Sequence, residues 1–151
     1  MNAFRAIYRV WATILTVLVV LQIFFAGYGA FDTVHKAKDG ITVDDNSVET
    51  SFGAHIGLGY LILLGTLIFF LISFGTRDRK RVYRALAVFA LLIVQVVLAS
   101  VGEEGTPFIG GLHPVNAFII LGLLGSITYR EWKARSAVAE EAAPASASPA
   151  A

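Results

Sequence analysis

The sequence contains no cysteine, and this absence excludes several kinds of chemistry. A chain without thiols forms no disulfide bond and has no thiolate nucleophile. It also offers no cysteine ligand for a metal ion or an iron–sulfur cluster. Any metal site in this chain must therefore use other ligands, and its loops are not cross-linked.

Charged residues are missing from four long stretches, residues 10–31, 52–75, 85–102 and 105–129, called here the first to fourth segments. Hydrophobic residues make up 56% of the chain and are concentrated in these segments. Uncharged runs of roughly 17–25 residues match the length of a membrane-crossing helix. Only helices and closed barrels satisfy their backbone groups in lipid, and continuous apolar runs favour helices. We therefore expect an all-α integral membrane protein built as a four-helix bundle.

The ends and loops complete this predicted organisation. The first segment is too long for a signal-peptide core, so we expect it to be a retained helix. Residues 32–51 predict a polar loop, and Thr50 or Ser51 is the expected start of the second helix. Residues 103–111 predict a short loop before a helix that begins at His113 and Pro114. Residues 1–135 then form the bundle, and residues 136–151, poor in large apolar side chains, predict a disordered cytoplasmic tail.

The net charge is only +1, but the cations are unevenly distributed. Two of the twelve Lys and Arg residues, Lys36 and Lys38, lie within residues 32–51. The other ten precede the first segment, lie in the link between the second and third segments, or follow the fourth segment, as Arg5, Arg9, Arg77, Arg79, Lys80, Arg81, Arg84, Arg130, Lys133 and Arg135. The other two loops are acidic. Because cytoplasmic loops carry the excess of lysine and arginine, we expect both termini inside and residues 32–51 and 103–111 outside. The basic link needs only the lipid bilayer as its partner, and no nucleic acid.

A faint internal repeat relates the two halves of the chain. Residues 21–29 align with residues 94–102 at a constant offset of 73, and the alignment places Gln22 on Gln95. Each copy is followed by a predicted outer loop and then by a helix that opens on a histidine. The pattern predicts two helix pairs related by an axis along the membrane normal. Polar glutamines within membrane helices more often join helices through hydrogen bonds than take part in catalysis.

His55 and His113 are the candidate ligands of a metal centre. Residues four apart lie one above the other on a helix, so Gly59 lies below His55 and Ala117 lies below His113. Two imidazoles on facing helices, each above a small residue, are what a planar macrocycle with two axial ligands requires. Haem iron accepts neutral imidazole on both sides, and helix bundles build such sites from facing helices.

The ring nitrogen that does not bind iron needs a hydrogen-bond acceptor, which fixes the tautomer. The candidates are Asn116, Ser100 and loop carbonyl groups. A single histidine at a membrane interface is more often bonded to a carbonyl or a lipid headgroup than functional. Two histidines at matched positions of a repeat favour a shared site, whereas His35 has no counterpart and is expected to be a loop residue.

These residues resemble one four-helix half of the haem A synthase family. The resemblance covers roughly residues 6–130 and rests on Gln22, Gln95, His55 and His113 with the glycines around them. The chain also looks like small, uncharacterised actinobacterial-type four-helix membrane proteins whose last helix opens on Leu-His-Pro-Val-Asn, as residues 112–116 do here. The resemblance implies a haem b near the outer face of a bacterial plasma membrane, with the two histidines as axial ligands.

The chain departs from that family in two ways. It has one bundle, not two, although a homodimer would imitate the eight-helix form. The family's catalytic half has a glutamate three residues before its loop histidine, and here Phe52 stands three before His55, with Glu49 six before. The resemblance therefore implies haem binding without oxidation of a haem methyl group.

Two classes of function remain open from the sequence. One is a haem b protein for electron transfer, haem handling or haem sensing, with a redox or haem-handling membrane partner. The alternative is a cofactor-free membrane subunit, either an assembly partner or a small transporter component. The segments contain no Asp, Glu, Lys or Arg, which argues against an ion path. No constellation of a catalytic base and its orienting group is present, so we do not expect a stand-alone enzyme.

Overall fold

The computed structural model describes the backbone of residues 2–142 and the side chains of residues 3–140. The described chain is helical, with four long helices and one short helix: α1 (Asn2–Lys38), α2 (Asp45–Gly75), α3 (Arg79–Glu103), α4 (Pro107–Gly110) and α5 (Leu112–Ala142). The four long helices are long and apolar enough to cross a membrane. Many large apolar side chains face outward, as lipid-facing residues do; Leu61 and Leu71 are 55% and 58% exposed. The expectation of an all-helical chain with four such helices is confirmed.

The first loop is much shorter than the sequence predicted. α1 continues to Lys38 and α2 begins at Asp45, so only residues 39–44 connect them. Asp44 caps α2 by accepting a hydrogen bond from the Ser47 amide, and the Ser47 side chain accepts one from the Asp44 amide. The Ser47 amide also holds the pKa of the Asp44 carboxyl below its ordinary value. The expected helix start at Thr50 or Ser51 is wrong because this capping box starts the helix earlier.

Paired polar side chains support these helical extensions. Lys36 lies 2.8 Å from Asp32 one turn away on α1, and both contact Ser51 of α2 through hydrogen bonds. An ion pair between residues four apart stabilises a helix, so a segment that lacks an apolar face can still be helical. The polar stretch from residue 32 to residue 51 is therefore mostly two helix ends joined by a short turn.

The chain after residue 135 also differs from the expectation. α5 continues through residues 136–142, which are rich in alanine and glutamate, two strong helix formers. This part of the expected disordered tail is helical. Residues 143–151 lie outside the described part of the chain. At its other end α5 begins at Leu112, one residue from the predicted start, directly after the Gly110-Gly111 break.

The four long helices form a ring in which α1 and α3 each pack against both α2 and α5. α1 therefore lies diagonally opposite α3, and α2 lies diagonally opposite α5. The half of the bundle near the α2–α3 turn is closely packed, with Tyr8, Phe69, Val88 and Leu124 fully buried. We call it the closed half. The other half, which holds His55 and His113, is called the open half.

Polar contacts also join the helices of the closed half. Arg81 of α3 makes a bidentate pair with the buried Glu131 of α5, at 2.9 and 3.0 Å, and also contacts Asp78. The Tyr8 hydroxyl donates to the Arg81 carbonyl group, and the Trp11 indole donates to the Gly65 carbonyl group. These bonds fix all four long helices relative to one another at this end.

Candidate functional site

The imidazole rings of His55 and His113 lie together in the open half. Their centroids are 6.1 Å apart and their planes differ by 61°. His55 is on α2 and His113 is on α5, so the rings approach across the diagonal of the bundle. Both are partly buried. The structure thus brings the two candidate ligands to one place inside the bundle.

Each ring is held by a backbone carbonyl group of a neighbouring helix. The Nδ1 atom of His55 lies 3.1 Å from the carbonyl oxygen of Gln22, and that of His113 lies 3.0 Å from the carbonyl oxygen of Gln95. A carbonyl oxygen can only accept, so Nδ1 carries the proton and Nε2 is the nitrogen with a free lone pair. Neither Nε2 atom has a hydrogen-bond partner among the described residues. Both rings are therefore oriented as metal ligands usually are.

The expected acceptors of the Nδ1 protons were wrong. Asn116 is buried and donates to the Leu91 carbonyl oxygen and to Oε1 of Gln95, at 2.9 and 2.7 Å. Ser100 donates to the Val96 carbonyl oxygen of its own helix. The carbonyl groups of Gln22 and Gln95 take the role because a helical carbonyl oxygen has a second lone pair. The glutamines that match in the repeat are thus the residues that bond to the two histidines, but they do so through backbone oxygen atoms and not through their side chains.

The Gln22 side chain lies between α1 and α2. Its Nε2 atom donates to the His55 carbonyl oxygen at 2.8 Å, so Gln22 and His55 bond to each other twice. A Cβ atom on Gly59 would lie 3.1 Å from that Nε2 atom. Gly59 is therefore small because the Gln22 amide needs the space, in addition to any space for a ligand. The Oε1 atom of Gln22 is buried and has no partner among the described atoms.

A cavity of about 1030 Å³ surrounds the two rings. This volume lies just above the range of roughly 300–1,000 Å³ found for small-molecule and cofactor sites. All four long helices line it. The lining residues of α1 and α3 include three pairs that are 73 residues apart, Val19 and Leu92, Gln22 and Gln95, and Ala26 and Ala99. Those of α2 and α5 include three pairs that are 58 residues apart, His55 and His113, Gly59 and Ala117, and Ile62 and Ile120.

The floor and the mouth of the cavity differ in polarity. Buried apolar side chains, among them Ile62, Leu92 and Ile120, close the floor toward the closed half. Asp45, Glu49 and Glu103 line the mouth. No Lys or Arg is among the lining residues that the structure describes. The sequence did not reveal this acidic mouth, because residues 45–49 were assigned to a loop and not to a helix facing the site.

No group of three or more His, Asp or Glu side chains among the described residues is arranged to hold a metal ion. Two histidines suit a metal ion whose other ligands are supplied by a bound group and not by the protein. The third histidine, His35, was expected in a loop, and this is wrong because α1 extends to Lys38. His35 lies on α1 beside Asp39, with 76% of its side chain exposed. It takes no part in the cavity.

Compared with protein-family models, with curated proteins and with solved structures, the chain gives no match in any of the three searches. The geometry of this site is therefore what indicates the function of the chain.

Proposed function

We propose that this chain is an integral membrane protein that binds haem b through His55 and His113. The observation that carries the proposal is the pair of adjacent imidazoles, each fixed through Nδ1 to a backbone carbonyl group and each with a free Nε2 atom. Haem brings four of the six iron ligands itself, so a protein that supplies two histidines completes the set.

The separation of the rings fits this proposal. Two imidazoles that both bound one metal ion through Nε2 would have ring centroids within about 6 Å of each other, because the metal–nitrogen bond is about 2 Å and the ring centre lies about 1 Å beyond the nitrogen. The observed separation is 6.1 Å. The small side chains Gly59 and Ala117 and the apolar floor supply room for a flat, largely apolar macrocycle.

The matched pairs of lining residues support the internal repeat. Two helix pairs, α1–α2 and α3–α5, each contribute a glutamine carbonyl group, a histidine bonded to it and a small residue four positions after that histidine. Helix pairs related in this way would offer a bound ligand two similar histidines. This arrangement is also the basis on which we propose a relationship to one half of the haem A synthase family.

We propose only haem binding, not the oxidation of a haem methyl group. Phe52 occupies the position three before His55, and its ring packs edge-on near the histidine. It supplies no carboxylate there. Bound haem would supply one-electron redox chemistry, which suits electron transfer. Haem handling or haem sensing would need only the binding itself. Gln22 and Gln95 would orient the ligands, and Asn116 would hold the Gln95 amide.

For orientation, we propose that the closed half faces the cytoplasm. The cations are concentrated around the α2–α3 turn and on the parts of α1 and α5 near it, as the positive-inside rule requires. Both termini would then lie on the cytoplasmic side of a bacterial plasma membrane, and the mouth of the cavity would open on the outer side.

The test is the absorption spectrum of the protein purified in mild detergent, before and after addition of haem b. We expect the bands of low-spin haem with two histidine ligands. His55→Ala and His113→Ala should each abolish those bands, whereas the matched control His35→Ala should retain them. A wild-type protein that stays colourless after haem addition would refute the proposal. If that colourless protein copurified in a stable larger complex, the cofactor-free membrane subunit would be the better explanation.

A further inference from the structure

We propose that the acidic mouth makes haem an exchangeable ligand, which enters and leaves through the opening lined by Asp45, Glu49 and Glu103. This inference rests on the proposed haem site and concerns how tightly that site would hold haem. It favours a haem-handling role over a permanent electron-transfer centre.

The polarity of the cavity decides which way haem would lie in it. Haem b has one apolar edge and one edge with two propionate groups. The floor is apolar and buried around Ile62, Leu92 and Ile120, and burying an ionised carboxylate there would be strongly unfavourable. The propionate edge must therefore point toward the mouth.

The mouth offers those propionates no cationic partner. Its charged side chains come from α2 and α3 and are all carboxylates, and the described lining contains no Lys or Arg. Lys36, a cation on the neighbouring part of α1, already contacts Asp32 at 2.8 Å. Like charges repel by an amount that depends on their distance, on the local dielectric and on salt. Two imidazoles hold the iron while the mouth repels the propionates, so release is easier than in a site with paired propionates.

The experiment measures how fast detergent-solubilised protein loaded with haem b transfers it to excess apomyoglobin. We expect the double variant Glu49→Gln/Glu103→Gln to release haem about tenfold more slowly than wild type, since two repulsions are removed. Added salt should slow release from wild type and have less effect on the variant. Glu104→Gln is the matched control, because Glu104 adjoins Glu103 but does not line the cavity.

A second ligand separates charge from shape. Haem dimethyl ester has no ionised propionates, so its release rate should be the same from wild type and from the double variant. Equal haem b release rates for wild type and the double variant would overturn the inference while leaving the haem site intact. Faster release from the variant would also overturn it, since the carboxylates would then stabilise the ligand. If wild type takes up no haem, the proposed function itself fails, and this inference fails with it.

Discussion

The two halves of the bundle are built from the same four helices but differ in what fills the space between them. In the closed half, Tyr8 stacks on Phe69 at 4.5 Å and both side chains are fully buried. In the open half, the corresponding space is a cavity around two histidines. The closed half therefore determines the stability of the bundle, and the open half can carry a site because the other end holds the helices in place. Three substitutions test this division of roles.

The largest expected effect comes from emptying the closed half. Phe69→Ala should lower the free energy of unfolding by about 4 kcal/mol, because it removes a fully buried aromatic side chain and leaves a void. Thermal or denaturant unfolding in detergent, followed by circular dichroism, measures the loss. Leu71→Ala, at a position that is 58% exposed on the outer surface of the bundle, is the control and should change the free energy by less than about 1 kcal/mol. Equal losses at the two positions would contradict a stability centre in the closed half.

The next effect concerns the ion pair between Arg81 and Glu131. Arg81→Met should destabilise the bundle by about 3 kcal/mol, because it leaves the Glu131 carboxylate buried without its bidentate partner. The double variant Arg81→Met/Glu131→Leu should regain most of that stability, since no buried charge remains. The same unfolding assay compares the two. A double variant as unstable as the single one would mean that the arginine stabilises the bundle through contacts other than this pair.

The smallest expected effect is in the open half, at Asn116. Asn116 stands three residues after His113, and Leu58 stands at the same spacing after His55. Asn116→Leu therefore gives α5 the residue type that α2 has at this position. It removes two hydrogen bonds and leaves the Gln95 amide oxygen without its donor, so we expect a loss of about 1 kcal/mol. Ser126→Ala, which removes a single exposed bond to the Leu123 carbonyl oxygen, should have no measurable effect. A loss as large as that of Phe69→Ala would show that the open half also determines stability.

Hydrophobic run length was enough to predict the four long helices, because crossing lipid imposes one strong constraint on composition and length. Gly59 follows His55 by four residues, and Ala117 follows His113 by four. This spacing was enough to predict that each small residue shares a helix face with its histidine, and all four line the cavity. The helix ends were harder to predict. Residues 32–38 and 45–51 look like loop by composition, and they are helical because Asp44 caps α2 and because Asp32, Lys36 and Ser51 pair across two helices.

The partners within the site were beyond sequence reasoning. Asn116 bonds to the side chain of Gln95, 21 residues earlier, and His113 bonds to the backbone of that same residue. Such contacts depend on the rotation of one helix against the next, which periodicity alone does not determine. The acidic mouth was missed for the same reason, since Glu49 faces the cavity only once α2 is known to extend to Asp45.

The early start of α2 and the late end of α1 give the open end of the bundle an uneven height. At about 1.5 Å per residue, α1 rises about 24 Å beyond Gln22 while α3 rises only about 12 Å beyond Gln95. α2 likewise begins about 15 Å before His55, whereas His113 is the second residue of α5. The α1–α2 pair thus forms the taller wall beside the histidines, and the α3–α5 pair forms a lower wall, with α4 joining its two helices. A ligand that entered over the lower wall would pass α4, whose Pro107 and Gly110 line the cavity.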